Sequence, residues 1–326
     1  MTPKLLKLDN LITQFHTEDG TVKAVDGNTL ELESGETLGV VGESGSGKTV
    51  TALSIMRLIE NPGEIKHGAI NFKGENLMEK SDEEMREIRG NAISMVFQDS
   101  LSSLNPTLTI GEQIKRVLRF HKTGLSGQER TERAIELLDT VGIPDAEKRA
   151  SNYPHEFSGG MRQRALIAMA ISCFPEILIL DEPTTALDVT IEAQIFELVD
   201  QLKSDYGMGT ILITHDLAVV ANSCSRVLIM YAGNIVEKAN VLELYENPAH
   251  PYTRGLLESI PDLDTKPKTE LPSIPGEVPD LIELPNGCNF NPRCKFAKDF
   301  CKQENPSLEN LDSNRAAACF RVDEIW

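Results

Sequence analysis

Two stretches of the chain place residues at spacings suited to phosphate chemistry. Gly42-Glu43-Ser44-Gly45-Ser46-Gly47-Lys48-Thr49 has the P-loop spacing, two glycines five positions apart followed by Lys and Thr. Glycines there let consecutive backbone N–H groups converge on phosphate oxygens at a helix start. Lys48 would place its charge on the β and γ phosphates, and Thr49 offers a hydroxyl to Mg2+. Gly42, Ser44, Gly45, Ser46, Gly47, Lys48 and Thr49 are therefore the nucleotide-binding candidates. The second stretch, Ile177-Leu178-Ile179-Leu180-Asp181-Glu182, is an apolar run ending in two acids, which delivers carboxylates to the C-terminal edge of a parallel sheet. Asp181 is a candidate to help hold Mg2+ through water, and Glu182 is the candidate general base for a water attacking the γ phosphate.

Two further clusters invite chemistry. In Glu156-Phe157-Ser158-Gly159-Gly160-Met161, Ser158-Gly159-Gly160 taken alone reads as a flexible N-cap run opening a helix. Near the end, Cys288, Cys294, Cys301 and Cys319 lie within one short segment, and four thiolates suit either zinc or an iron–sulfur cluster. None of their spacings is a short C-x2-4-C knuckle, which favours a 4Fe-4S cluster over zinc; free or disulfide-linked thiols are the third option. A metal centre there would be structural or redox-regulatory, supplying folding energy that a core cannot.

The elements that must position these groups follow from periodicity. Leu5 to Leu38 alternates apolar and polar residues around a turn at Glu18-Asp19-Gly20, a strand meander. Leu38–Val41 is a short buried strand, and a helix is expected from about Lys48 to Ile59, before Asn61-Pro62-Gly63. Residues from about Asp99 to Arg149 read as mostly helical, and from Ile177 to Val236 short strands alternate with helices. The main domain is therefore α/β with a parallel sheet. Ten of the seventeen prolines fall between Pro248 and Pro306, so a boundary is expected near residue 245, followed by an irregular tail that needs more than an apolar core to hold it.

Composition excludes several function classes. A formal net charge of −18 without a basic patch speaks against nucleic acid, whose phosphates need clustered Lys and Arg. No run reaches the length of a spanning helix and the start lacks the apolar core of a secretory signal, so a cytoplasmic chain is expected, touching membrane only through partners. A P-loop GTPase would need an Asn-Lys-x-Asp guanine motif, which is absent.

Phe157-Ser158-Gly159-Gly160-Met161 resembles the LSGGQ signature of the ATP-binding cassette family, departing at the first and last positions and keeping the Ser-Gly-Gly core. Further matches occur in the family's order. Gln98 resembles the Q-loop glutamine that senses Mg2+ and the attacking water, placing it beside Thr49 and Asp181 as a metal contact. Asp188 resembles the D-loop aspartate that communicates across a dimer, and His215 the switch histidine that contacts the γ phosphate. Glu182, His215 and Gln98 are then the catalytic set. An aromatic residue before the P-loop would stack on adenine, with Phe15 the candidate and His16 the alternative.

The resemblance covers about residues 4 to 245. It implies a P-loop ABC domain over 1–245 with a parallel-sheet core, an antiparallel β subdomain and a helical subdomain at about 99–165. Ser158, Gly159 and Gly160 would face ATP held by another cassette, so hydrolysis requires two. The run from Glu246 to Leu257 resembles the extension of dipeptide and oligopeptide importer ATPases, and of related nickel importers, making 246–326 a Cys-rich extension. Some such tails with a Cys-Asn-Phe-Asn-Pro-Arg-Cys pattern bind a 4Fe-4S cluster. Ser102-Ser103-Leu104-Asn105-Pro106 resembles the same branch, where this region meets a coupling helix of the membrane subunit. The implied function is ATP hydrolysis coupled to di- or oligopeptide uptake at the cytoplasmic face of the inner membrane. The implied partners are a related second cassette, two permease subunits and an extracytoplasmic binding protein. A nickel importer or a soluble cassette ATPase is the alternative.

Overall fold

A computed structural model describes residues 4–121, 124–185, 187–260 and 273–325. Its contacts divide the chain into two compact units, and the strand Gly209–Thr214 passes from one to the other.

The first unit comprises Glu33–Glu36 and the described residues of Glu79–Leu212. Its strands Ile93–Val96 and Ile177–Asp181 run parallel, with Ile93 opposite Ile177 and Val96 opposite Leu180. All five residues of Ile177–Asp181 are buried, as expected of a parallel strand covered on both faces. Around them lie the helices Ile110–Phe120, Gly127–Thr140, Gly159–Ile171 and Val189–Tyr206. Each begins at a side-chain cap: Thr109, Ser126, Ser158 and Asp188 accept the backbone N–H of Glu112, Glu129, Met161 and Ile191. A cap of this kind is worth about 1 kcal/mol. Gly127–Thr140 buries Ala134, Leu137 and Leu138, the spacing that puts side chains on one helix face.

The second unit comprises Lys4–Leu32, Thr37–Met78 and the described residues of Ile213–Trp326. One antiparallel sheet has the order Gly20–Glu33, Lys4–Thr17, Gly63–Phe72, Glu75–Asn76, with Leu6 opposite Phe72 and Leu8 opposite Ile70. The strand Thr37–Val41, buried throughout, runs parallel to Arg226–Tyr231, with Leu38 opposite Arg226 and Val41 opposite Ile229. Arg226–Tyr231 pairs antiparallel with Asn234–Asn240, which pairs in turn with Ala316–Ala317. The helix expected to reach Ile59 stops at Ile55, because Arg57 takes the left-handed conformation (φ 49°) and its N–H bonds to Ser54 O.

The C-terminal segment departs from expectation in what holds it. Its helix Pro251–Glu258 brings the fully buried Tyr252 against Tyr231, ring centroids 4.6 Å apart, and Phe290 lies edge-on to Tyr231 at 5.2 Å. Both rings join Val41, Val227, Ile229 and Leu244 in one apolar cluster. With aromatic side chains each removing a large area from water, this segment is fastened by a shared core.

The 4Fe-4S cluster expected at Cys288, Cys294, Cys301 and Cys319 is overturned, and the zinc alternative with it. Among the described residues no group of three or more His, Cys, Asp or Glu side chains is arranged to hold a metal ion. The four cysteines are free and line an apolar cavity of about 20 Å3, space for roughly one water. Burial pushes the Cys288 thiol up to about 11 and those of Cys294 and Cys319 in the same direction. No helix among the described residues is long and apolar enough to cross a membrane.

Candidate nucleotide-binding and hydrolysis site

In the second unit, Thr37–Val41 ends at Gly42 and the helix Lys48–Ile55 begins after Gly47. Gly47 has φ +101°, and a Cβ there would sit 2.2 Å from Ala24 O; at Gly42 a Cβ would sit 2.2 Å from Met230 O. The loop is thus threaded against neighbouring backbone where no side chain fits. The buried Lys48 donates from Nζ to Gly42 O at 2.7 Å and Glu43 O at 3.0 Å, which sets its ammonium across the loop's own carbonyls. Ser46 Oγ is buried with no hydrogen-bond partner among the described residues, leaving a loop hydroxyl with bonding capacity to offer a phosphate oxygen. Thr49 occupies the first turn of the helix, and Ser44 and Gly45 complete the loop, Gly45 at φ +79°.

His215 follows Gly209–Thr214 in a short turn. Asp216 donates its N–H to Thr214 Oγ1 at 3.0 Å and caps the next helix by accepting from Ala218 N at 2.7 Å. Phe15, on Lys4–Thr17, is half-buried with its ring against Gly63 on the paired strand. His16 is exposed and engaged by Glu64 and Thr21, each at 3.2 Å.

The acids belong to the first unit. Asp181 is buried at the end of Ile177–Asp181, and Glu182 follows in the left-handed region at φ 45°. That conformation costs a residue with a Cβ about 1 kcal/mol or more, so the surrounding structure must impose it. The Glu182 carboxylate is gripped on one oxygen: Oε2 accepts from Gln98 Nε2 at 3.0 Å and from Thr185 Oγ1 at 3.2 Å. Ser158 caps Gly159–Ile171, and a Cβ on Gly160 would meet Ile191 Cγ2 at 2.7 Å. Ile191 is the residue whose N–H Asp188 accepts at 3.0 Å, so the starts of two helices lie side by side.

Within the first unit the structure therefore joins Gln98 to Glu182, and Ser158-Gly159-Gly160 to the turn after Asp188. The loop Gly42–Thr49, Phe15 and His215 lie in the second. Two residues escaped the sequence reading. Thr185 follows Glu182 by three positions, and a hydroxyl so placed after an acidic strand end is a detectable signal. Tyr252 accepts the Glu43 N–H at 2.9 Å from 209 positions away, which no local pattern announces.

Residues 25–185 match the ABC transporter family, and residues 236–301 match the C-terminal region of oligopeptide/dipeptide transporters. A protein of Sinorhizobium fredii, named as a peptide ABC transporter ATP-binding protein, is 50% identical over 322 residues, covering 98% of this chain and 96% of its own length. The chain belongs to the ABC transporter family. A second relative, from Brucella abortus and named as a peptide import ATP-binding protein, is 51% identical and covered 98% each way. The dimeric ABC transporter cassette MJ0796 covers 72% of this ABC chain and 98% of its own at 29% identity and a TM-score of 0.66. Its post-hydrolysis state bound to ADP and Pi aligns over the same shares, at 28% identity and a TM-score of 0.65. This ABC protein is an ATP-binding ATPase with the cassette fold, mixed sheets and helices.

Proposed function

We propose that this ABC ATPase powers the import of di- or oligopeptides, docked at the cytoplasmic face of a membrane on two permease subunits. An extracytoplasmic binding protein would deliver the peptide. The observation that carries this reading is similarity along nearly the whole chain to relatives named for peptide transport, including the oligopeptide/dipeptide region at 236–301. Residues 1–245 act as the nucleotide-binding domain, with a helical subdomain at about 99–165, and 246–326 as the transporter-type extension.

The residues divide the work. Backbone N–H groups of Gly42, Ser44, Gly45, Ser46 and Gly47 and the Lys48 ammonium bind the ATP phosphates, and Phe15 stacks on adenine. Thr49, Asp181 and Gln98 present oxygen donors that would hold Mg2+, a hard ion that would supply neutralisation of the phosphate charge. Glu182 accepts a proton from the attacking water, and Gln98 and Thr185 hold its carboxylate in one orientation. His215 contacts the γ phosphate. Ser158, Gly159 and Gly160 complete the site of a second cassette, a related chain, and Asp188 carries the signal between the two.

Affinity purification from detergent-solubilised membranes tests this reading. Two permease chains and a related cassette should copurify in stoichiometric amounts; a soluble assembly free of membrane proteins would overturn it.

A further inference from the structure

We infer that Arg293 is a positioning residue for the phosphate-binding loop, acting through Glu43. The C-terminal segment would then be a brace that holds the loop in shape for nucleotide, an inference that rests on reading Gly42–Thr49 as the ATP loop. Arg293 meets Glu43 with both prongs of its guanidinium, Nη1 to Oε2 at 2.7 Å and Nη2 to Oε1 at 3.0 Å, across 250 positions of chain. Such paired bonds fix orientation as well as proximity.

The guanidinium is itself held. Its side chain is 5% exposed, Nε donates to Pro275 O at 3.1 Å, and the charge centre lies 5.8 Å from the centre of the Tyr231 ring. An arginine so fixed cannot follow a moving loop, so the loop must conform to it.

Glu43 is clamped at three points. Its carboxylate goes to Arg293, its N–H to Tyr252 Oη at 2.9 Å, and its C=O to Lys48 Nζ at 3.0 Å. The first two partners come from the C-terminal segment and the third is the phosphate-binding lysine. Glu43 thus ties that segment to the carbonyl on which Lys48 rests. An unbraced loop would have to be ordered by the nucleotide, and that ordering would be subtracted from affinity. Chemistry after binding, which depends on Glu182, would be little altered.

The test is a titration of a fluorescent ATP analogue against the purified chain, with thermal midpoints, for wild type, Arg293→Ala, Arg293→Lys, Glu43→Gln and the double variant Glu43→Gln/Arg293→Ala. Lys48→Ala serves as reference for the loop. Arg293→Ala and Glu43→Gln should each weaken binding about three- to tenfold, and the double variant should be no weaker than the worse single. Arg293→Lys, keeping the charge and losing the fork, should recover part of the loss. In the assembled transporter KM for ATP should rise while kcat stays within about twofold. Unchanged affinity in both single variants, or losses that multiply in the double, overturns the inference. So does a lowered thermal midpoint with unchanged affinity, which would make Arg293 a packing residue only. If Arg293→Ala does not fold, Glu43→Gln and Arg293→Lys decide the matter. Should Lys48→Ala also bind normally, the ATP-loop reading fails with it; a loss confined to Lys48→Ala sinks the brace alone.

Discussion

The Gln98 side-chain amide donates to the Glu182 carboxylate, Nε2 to Oε2 at 3.0 Å, across 84 positions of the chain. The bond ties the segment after Ile93–Val96 to the end of Ile177–Asp181, the two strands that run parallel in the same unit. With Glu182 proposed as the base, a carboxylate held in this way would need no reorientation at the moment of proton transfer, and its removal should be felt in turnover and not in binding.

Glu182→Gln should therefore lower steady-state ATP hydrolysis by the assembled transporter more than about 100-fold, the scale of a positioned general base, while nucleotide affinity holds. Gln98→Ala, which leaves Glu182 with the Thr185 hydroxyl, should cost less, about tenfold. Hydrolysis rates paired with nucleotide titrations check both, and near-normal turnover by Glu182→Gln would remove it from the catalytic role.

Lys48→Ala should weaken binding and rate together, because the ammonium offsets charge that bound ATP already carries. The loss should be about tenfold or more in affinity, read by titration. An unchanged dissociation constant would count against Gly42–Thr49 as the phosphate site.

The loop, the acidic strand end and the helix starts could be read from sequence because each is local. Gly42 and Gly47 bracket a fixed spacing, Asp181 and Glu182 end an apolar run, and Ser158 precedes its helix directly. What sequence could not give was long-range. Nothing in the proline-rich run after Pro248 indicates that Tyr252 and Phe290 enter a core with Tyr231, or that Arg293 reaches Glu43. The spacing of Cys288, Cys294, Cys301 and Cys319 suggested ligands because spacing along the chain carries no information on how side chains are arranged in space, and among the described residues they are not arranged to hold a metal ion.

Ser158→Ala removes a helix cap, with an expected cost of about 1 kcal/mol, and should also act in trans. In a mixed assembly carrying this change in one cassette only, hydrolysis of the ATP held by the other cassette should fall. Loss confined to the variant's own loop would contradict the two-cassette arrangement, as would full transporter-level activity from a chain shown to be monomeric during turnover.

The buried His250 gives a pH signature. Burial lowers its pKa to about 3, and its Nδ1 accepts the Tyr252 N–H at 3.1 Å. The unfolded chain binds a proton near the ordinary imidazole value of about 6.5 that the folded chain refuses, so stability falls as pH drops below that value. Between about pH 7.5 and about pH 5.5 the loss should be about 1.4 kcal/mol. The buried Glu237 carboxyl, pushed upward mainly by burial, works in the opposite direction and favours the folded state as pH falls. Denaturant unfolding of wild type and His250→Asn across this range separates the two. The difference between the curves should carry the imidazole's contribution, and parallel curves would show that His250 titrates normally.

The most direct measurement of the central claim is peptide accumulation in proteoliposomes that hold the permease subunits, this ATPase and its partner cassette, with ATP on the ATPase side and labelled peptide with its binding protein on the other. The account predicts ATP-dependent accumulation of di- or oligopeptide that is lost with Glu182→Gln. ATP hydrolysis without peptide uptake, or uptake that persists unchanged in that variant, would contradict it.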